Sequence, residues 1–152
     1  MEYDIILATQ SEIRRKLLKN TGISFKTIKS DFDETQLQDA LYGKICSLKD
    51  AQDLAKKLSF EKAKNISARY SGDLIIGCDQ TLYFKKRILN KPVNYEESFE
   101  QLKCLSGENH KLITATTCVM ESKQIWSYIS VQDMQMRALS DEYIKNYIRE
   151  IG

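Results

Sequence analysis

Apolar positions along the chain switch between two periods, and the switches mark its elements. Residues 3–8 (YDIILA) form an apolar, β-rich run, and Thr9, Gln10 and Ser11 separate it from a stretch in which Ile13, Leu17 and Leu18 recur at helical spacing. This predicts strand, turn, helix. Residues 20–22 supply a helix stop, and residues 24–29 suit a second strand that leads into the acidic stretch Asp31, Asp33 and Glu34, read as a loop. Leu48, Ala51, Leu54, Ala55, Leu58, Ala63 and Ile66 then trace one face of a long amphipathic helix over about residues 48–70, closed by Ser71 and Gly72.

Leu74, Ile75 and Ile76 are too few for a helix and are bounded by Gly77, which predicts a buried central strand with Cys78 and Asp79 at its C-terminal end. Helix followed by buried strand is the mark of a βαβ unit and places the chain in the α/β class. Residues 81–84 and 88–89, joined across Lys85, Lys86 and Arg87, read as a small hairpin, and Pro92 leads into a helix over residues 95–105 that Ser106 and Gly107 close. Two long β-rich runs, 111–120 and 124–136, predict an antiparallel pair, and Ser140 caps a last helix, with Glu142 in its first turn, that extends to about Arg149. No internal repeat or low-complexity linker interrupts this order.

Composition narrows the function classes. A chain of 152 residues with 42% hydrophobic content suffices for one core and gives no reason for two independent domains. Its 23 basic and 21 acidic residues leave a net charge of +2 without a basic run, and neither nucleic acid nor a membrane is called for. An RNA-binding module is disfavoured, because the tyrosines are dispersed and form no basic aromatic platform. Cys46, Cys78, Cys104 and Cys118 lie far apart with no CxxC pair, and no cleavable signal precedes the first strand, which fits a reduced cytoplasmic chain. With His110 the single histidine, catalysis is expected to rest on carboxylates, Lys and Arg.

Two places can carry such chemistry. Ser11, followed by Arg14 and Arg15, can form an anion cradle, since a helix N-terminus offers unpaired N–H groups and two guanidiniums can fork onto phosphate oxygens. The alternative is an ordinary N-cap with solvated helix charges. No glycine-rich phosphate loop is present. Asp79 lies where open α/β sheets bind ligands and can hold a metal or take a proton from water, or else simply cap the following loop. Gln80 beside it can bond a base edge. Lys62, Lys91, Asp33 and Glu34 mean little singly, but together they form the inventory of phosphoryl chemistry, with carboxylates sharing a hard cation with the phosphates and cations neutralising the rest.

The ordered set Thr9-Gln10-Ser11-Glu12-Ile13-Arg14-Arg15-Lys16-Leu17-Leu18, Asp33-Glu34, Glu61-Lys62-Ala63, Ile75-Ile76-Gly77-Cys78-Asp79-Gln80, Asn90-Lys91-Pro92, Leu105-Ser106-Gly107 with His110, and Leu139-Ser140-Asp141-Glu142 resembles the Maf family of nucleotide pyrophosphatases over essentially the whole chain. Asp79-Gln80, where other branches carry Asp-Thr, resembles the branch that includes the 7-methyl-GTP pyrophosphatases. The resemblance implies a mixed twisted sheet with flanking helices, an ITPase/Maf-like two-lobed single domain with a central cleft. It implies hydrolysis of modified or non-canonical nucleoside triphosphates to monophosphate and pyrophosphate with a divalent cation, Mg²⁺ or Mn²⁺. Carried over by position, Asp79 would be the proton acceptor and Glu34 a metal-linked carboxylate, both as metal ligands. Ser11, Arg14, Lys62 and Lys91 would grip the phosphates, with Arg15 and Gln80 as supporting contacts.

Two departures accompany it. Glu12 replaces the family's proline and would repel an anion at the helix N-terminus. The chain ends at Gly152, before the family's C-terminal elements, so the expectation is a C-terminally truncated fold with an unpaired strand edge and uncovered apolar surface. The family's link to septum formation leaves open a weak or inactive nucleotide-binding regulator of cell division, and homodimer formation stays open as well.

Overall fold

The computed structural model describes residues 3–41 and 47–151. Strand β1 (Ile5–Ala8), helix α1 (Glu12–Lys19), strand β2 (Lys26–Ile28) and helices α2 (Glu34–Leu41) and α3 (Leu48–Ser67) form the first half. Strands β3 (Leu74–Phe84) and β4 (Arg87–Leu89), helix α4 (Tyr95–Leu105), strands β5 (Asn109–Met120) and β6 (Lys123–Gln135) and helix α5 (Asp141–Ile151) complete it. The strands make one mixed sheet in the order β2-β1-β3-β5-β6, with β4 also paired to β3. β1 is parallel to β2 and β3, while β4, β5 and β6 join by antiparallel pairing. Among the described residues no helix is long and apolar enough to cross a membrane.

α3 lies across this sheet because its inward face is built from small and medium apolar residues. Ala63 and Ile66 pack on Ile6, Ala8, Ile75 and Val119, and Ala51 and Ala55 pack on Ile113 and Ala115. The closest approach is at Gly77, where an added Cβ would stand 2.0 Å from the Ser59 carbonyl oxygen and 2.9 Å from the Ala63 Cβ. Only a residue without a side chain fits there. Beside that contact, the buried hydroxyls of Ser59 and Thr117 bond to each other at 2.7 Å, and Ser59 also donates to the Lys56 carbonyl at 2.8 Å, so neither of these two hydroxyls is left unpaired. These contacts fix the height of α3 over β3, and with it the position of Lys62.

Three sequence expectations change. The short strand at Leu74–Ile76 and the first arm of the hairpin are one continuous β3, so Asp79 stands mid-strand rather than at a C-terminal end. Gly77 was read as a boundary, but it is a packing contact within the strand. The acidic loop ends one residue early: Asp33 accepts bonds from the Thr35 N–H and hydroxyl, and Glu34 opens α2. Finally, Ile13 and Leu17 recur at helical spacing yet stand 71% and 63% exposed, and α1 buries no residue fully. The Lys85-Lys86 turn of the hairpin has both residues at positive φ, 45° and 64°, which matches the twist of a two-residue hairpin loop.

β5 occupies one side of β3 along residues 75–83, so β1 and β4 share the other side. β1 pairs with residues 74–77 and β4 with 82–84. Between them, residues 78–81 have no strand neighbour on that side among the described residues. The sheet therefore opens at its middle, with α1 and α2 on one flank and the β4–α4 connection on the other. At the outer end, β6 has no further strand among the described residues, and its Ile125, Trp126 and Tyr128 are exposed.

Candidate functional site

The opening in the sheet is a cleft of about 1100 Å³. Its first wall comes from the turn after β1. Thr9, nearly buried, accepts the Ser11 N–H on its hydroxyl at 3.1 Å, and Ser11 caps α1 by accepting the Arg14 N–H at 3.4 Å. Among the described residues no acceptor takes the Ser11 hydroxyl proton, so capping and ligand binding are compatible. Arg14 reaches across the opening and donates to the Cys78 carbonyl at 3.1 Å, meeting a backbone acceptor on the stretch of β3 that lacks a strand neighbour. Glu12 points away from this arrangement and pairs with Arg15 on the solvent side. The expected repulsion by Glu12 is thus partly neutralised by its neighbour.

The floor is a three-membered ion cluster. Lys62, from α3, places its Nζ 2.7 Å from Asp79 Oδ1 and 2.8 Å from Glu34 Oε1. Asp79 and Lys62 are largely shielded from water, with side chains 8% and 12% exposed, whereas Glu34 is 39% exposed at the rim. Burial pushes the Asp79 carboxyl above the ordinary carboxylate range, because it outweighs the attraction of Lys62 and Arg14 and is reinforced by Glu34. Burial acts to lower Lys62, but the two carboxylates outweigh it and hold the ammonium above its usual value. Two acids share one ammonium, so one negative charge in the cluster is left for another cation. Thr81, buried on the same face of β3 two residues on, donates to Asp79 Oδ2 at 3.3 Å.

The second wall is the loop after β4. Lys91 lines the cleft, and the Gln101 amide of α4 donates to the Asn90 carbonyl at 2.8 Å, tying that loop to the helix. Gln80 lines the cleft with its amide on the Thr114 hydroxyl at 3.0 Å. Leu54, Leu58, Leu82, Ile88 and Leu112 supply an apolar surface beside the charged groups.

Of the residues singled out from the sequence, Ser11, Arg14, Asp33, Glu34, Lys62, Asp79, Gln80 and Lys91 line one cleft, and Arg15 does not. Arg15 is turned outward because adjacent helix positions cannot face the same way. Both acids of the pair line the cleft but differ in role, with Asp33 accepting the bonds of the turn into α2 while Glu34 enters the cluster. Thr81 and Gln101 were not among the candidates, whereas Thr9 belonged to the candidate turn and lines the cleft. Thr81 was accessible from the two-residue period of a strand, had β3 been read as continuous through Asp79.

A divalent cation fits this donor set in one way. Among the described residues no group of three or more His, Cys, Asp or Glu is placed to form a closed metal cage. Two carboxylates meeting at one point suit a hard cation that takes its remaining ligands from water and phosphate oxygens.

Known proteins agree with this architecture. A solved nucleoside-triphosphatase, the dITP/XTP pyrophosphatase from Mycobacterium abscessus, superposes with a TM-score of 0.50 at 12% identity, covering 87% of this chain and 73% of that one, which shows a shared fold. A nucleoside triphosphate pyrophosphatase of Nitrobacter hamburgensis is 38% identical over 148 residues, 97% of this chain and 71% of the relative. A 7-methyl-GTP pyrophosphatase of Brucella abortus is 36% identical over 152 residues, 100% of this chain and 75% of the relative. The family profile described as Maf-like protein matches residues 4–152, and the chain belongs to that family.

Proposed function

We propose that this protein hydrolyses nucleoside triphosphates to the monophosphate and pyrophosphate. The observation that carries this reading is the cluster of Lys62 with Asp79 and Glu34 at hydrogen-bond distance, in a cleft whose walls bring Ser11, Arg14 and Lys91 to the same space. Such a cleft suits a polyphosphate, and the apolar surface beside it suits a base. Nucleoside triphosphates carrying modified or non-canonical bases, 7-methyl-GTP among them, are the substrates proposed, in keeping with the name of one relative.

In this mechanism Arg14, Lys91 and the Ser11 hydroxyl bind phosphate oxygens and offset the charge that builds on the departing pyrophosphate. Water attacks the α-phosphorus, its oxygen bonding as the bond to the pyrophosphate oxygen breaks. Asp79 takes the proton that the water loses, a role suited to a carboxyl whose affinity for protons burial has raised. Glu34 and Asp79 would hold a divalent cation, Mg²⁺ or Mn²⁺, which when bound supplies charge neutralisation at the phosphates and a more acidic water. The proposed compartment is the cytoplasm, supported by free thiols at Cys78, Cys104 and Cys118.

Purified protein incubated with Mg²⁺ or Mn²⁺ and a nucleotide panel that includes 7-methyl-GTP is expected to release pyrophosphate and monophosphate in equal amounts. Absence of release above background with every nucleotide overturns the reading. Within it, Thr81→Val removes the hydroxyl that orients Asp79 Oδ2 and is expected to lower kcat about tenfold with KM little changed, while Thr81→Ser keeps most of the rate. Steady-state kinetics of the two variants check this, and equal losses in both would remove Thr81 from the mechanism.

A further inference from the structure

We propose that Lys62 bars a free divalent cation from the Glu34 and Asp79 carboxylates, so that the protein takes up its cation only together with a nucleotide's phosphates. This rests on the cleft being a nucleotide site and adds the form of the substrate, the cation–nucleotide complex, and the order of assembly.

Lys62 Nζ bonds one oxygen of each carboxylate, at 2.7 Å and 2.8 Å. Its ammonium already occupies the meeting point that a shared cation would use. The stem is held by α3, whose height over the sheet is fixed at Gly77 and at the Ser59–Thr117 pair, and its side chain is 12% exposed. A cation approaching the acids alone meets this fixed positive charge, and Arg14 adds a second from the Cys78 side. With Lys62 compensating one carboxylate and Arg14 offsetting the other, no net negative charge remains to draw a free cation past the ammonium.

A triphosphate reverses the balance. It brings several negative charges, oxygen ligands for a hard cation and new acceptors for the ammonium. Lys62 can then pass from carboxylate to phosphate while the acids pass to the cation. Each group exchanges one partner of opposite charge for another, and no buried charge is stranded. Coupling of this kind is reciprocal, so the nucleotide strengthens cation binding as much as the cation strengthens nucleotide binding.

Mn²⁺ is the probe, and the loss of its aqueous paramagnetic signal reports binding to protein stripped with chelator, without any turnover. Wild type without nucleotide is expected to bind Mn²⁺ at least about tenfold more weakly than Lys62→Met or Lys62→Gln, and Glu34→Gln added to Lys62→Met is expected to abolish the gain. Thermal melting gives a second arm on the unaltered protein: Mn²⁺ alone leaves the transition in place, and Mn²⁺ with a non-hydrolysable nucleoside triphosphate raises it. Tight Mn²⁺ binding by wild type alone, a transition raised by Mn²⁺ alone, or equal binding by wild type and the Lys62 variants overturns the proposal. Should the Lys62 variants gain Mn²⁺ while no nucleotide shifts the wild-type transition, the barrier by Lys62 stands and the nucleotide reading falls.

Discussion

Asp79→Asn is expected to lower kcat for pyrophosphate release by about a thousandfold while the protein remains folded. Asparagine keeps the shape and one acceptor oxygen for the Lys62 ammonium, and Glu34 still neutralises that ammonium at 2.8 Å. It cannot accept the proton from the attacking water, and it is a poorer partner for a hard cation. Stability responds in the opposite sense. The Asp79 pKa is raised in the folded state, so folding favours its protonated form. That contribution is fully present below the ordinary value of 3.8 and is lost as pH rises through the raised one. Chelator-treated wild type should therefore lose stability relative to Asp79→Asn across that window and regain it on acidification. Denaturant melts of both proteins from acid to neutral pH check the sign. A gap that widens toward acid pH would show that the Lys62 attraction, rather than burial, governs Asp79.

Gly77→Ala is the second large effect, and it reaches the site without touching it. The added Cβ would lie 2.0 Å from a backbone oxygen of α3, and backbone cannot rotate away as a side chain does. The helix must lift or slide, which costs about 3 kcal/mol and lowers the melting temperature by about 10 °C. Lys62 is carried on the same turns of α3, between the contacts at Ser59 and the core residue Ile66. Its ion pairs with Asp79 and Glu34 lengthen as the helix moves, so kcat should fall at temperatures where circular dichroism still reports a folded chain. An Ala variant with wild-type melting and wild-type rate would mean that α3 does not set the geometry of the cluster.

Much of this arrangement was legible residue by residue. The bounds of α4 and the pairing of β5 with β6 followed from local signals: Pro92 and the Ser106-Gly107 pair bracket the helix, and two long β-rich runs separated by a short polar stretch give the strands. Candidates for the cleft were legible as a set, because few chemistries need two acids together with several dispersed cations. Where the reading slipped, the cause was a residue whose role lies in a distant partner. Gly77 looks like punctuation along the chain, yet it is where α3 touches the sheet. Ile13 and Leu17 look like core residues, yet no element of the described structure covers them.

The chain by itself determined which stretches become helices and strands and which residue types are available for chemistry, because caps, turns and apolar periods act over a few neighbours. Only the tertiary structure decided that β1 and β4 share one side of β3 and leave it open at residues 78–81, that Arg15 turns outward while Arg14 crosses the cleft, and that Lys62 joins Glu34 to Asp79. Those outcomes depend on sheet order and on the height of a helix above it, which are set by packing between segments dozens of residues apart and leave no periodic trace in the sequence.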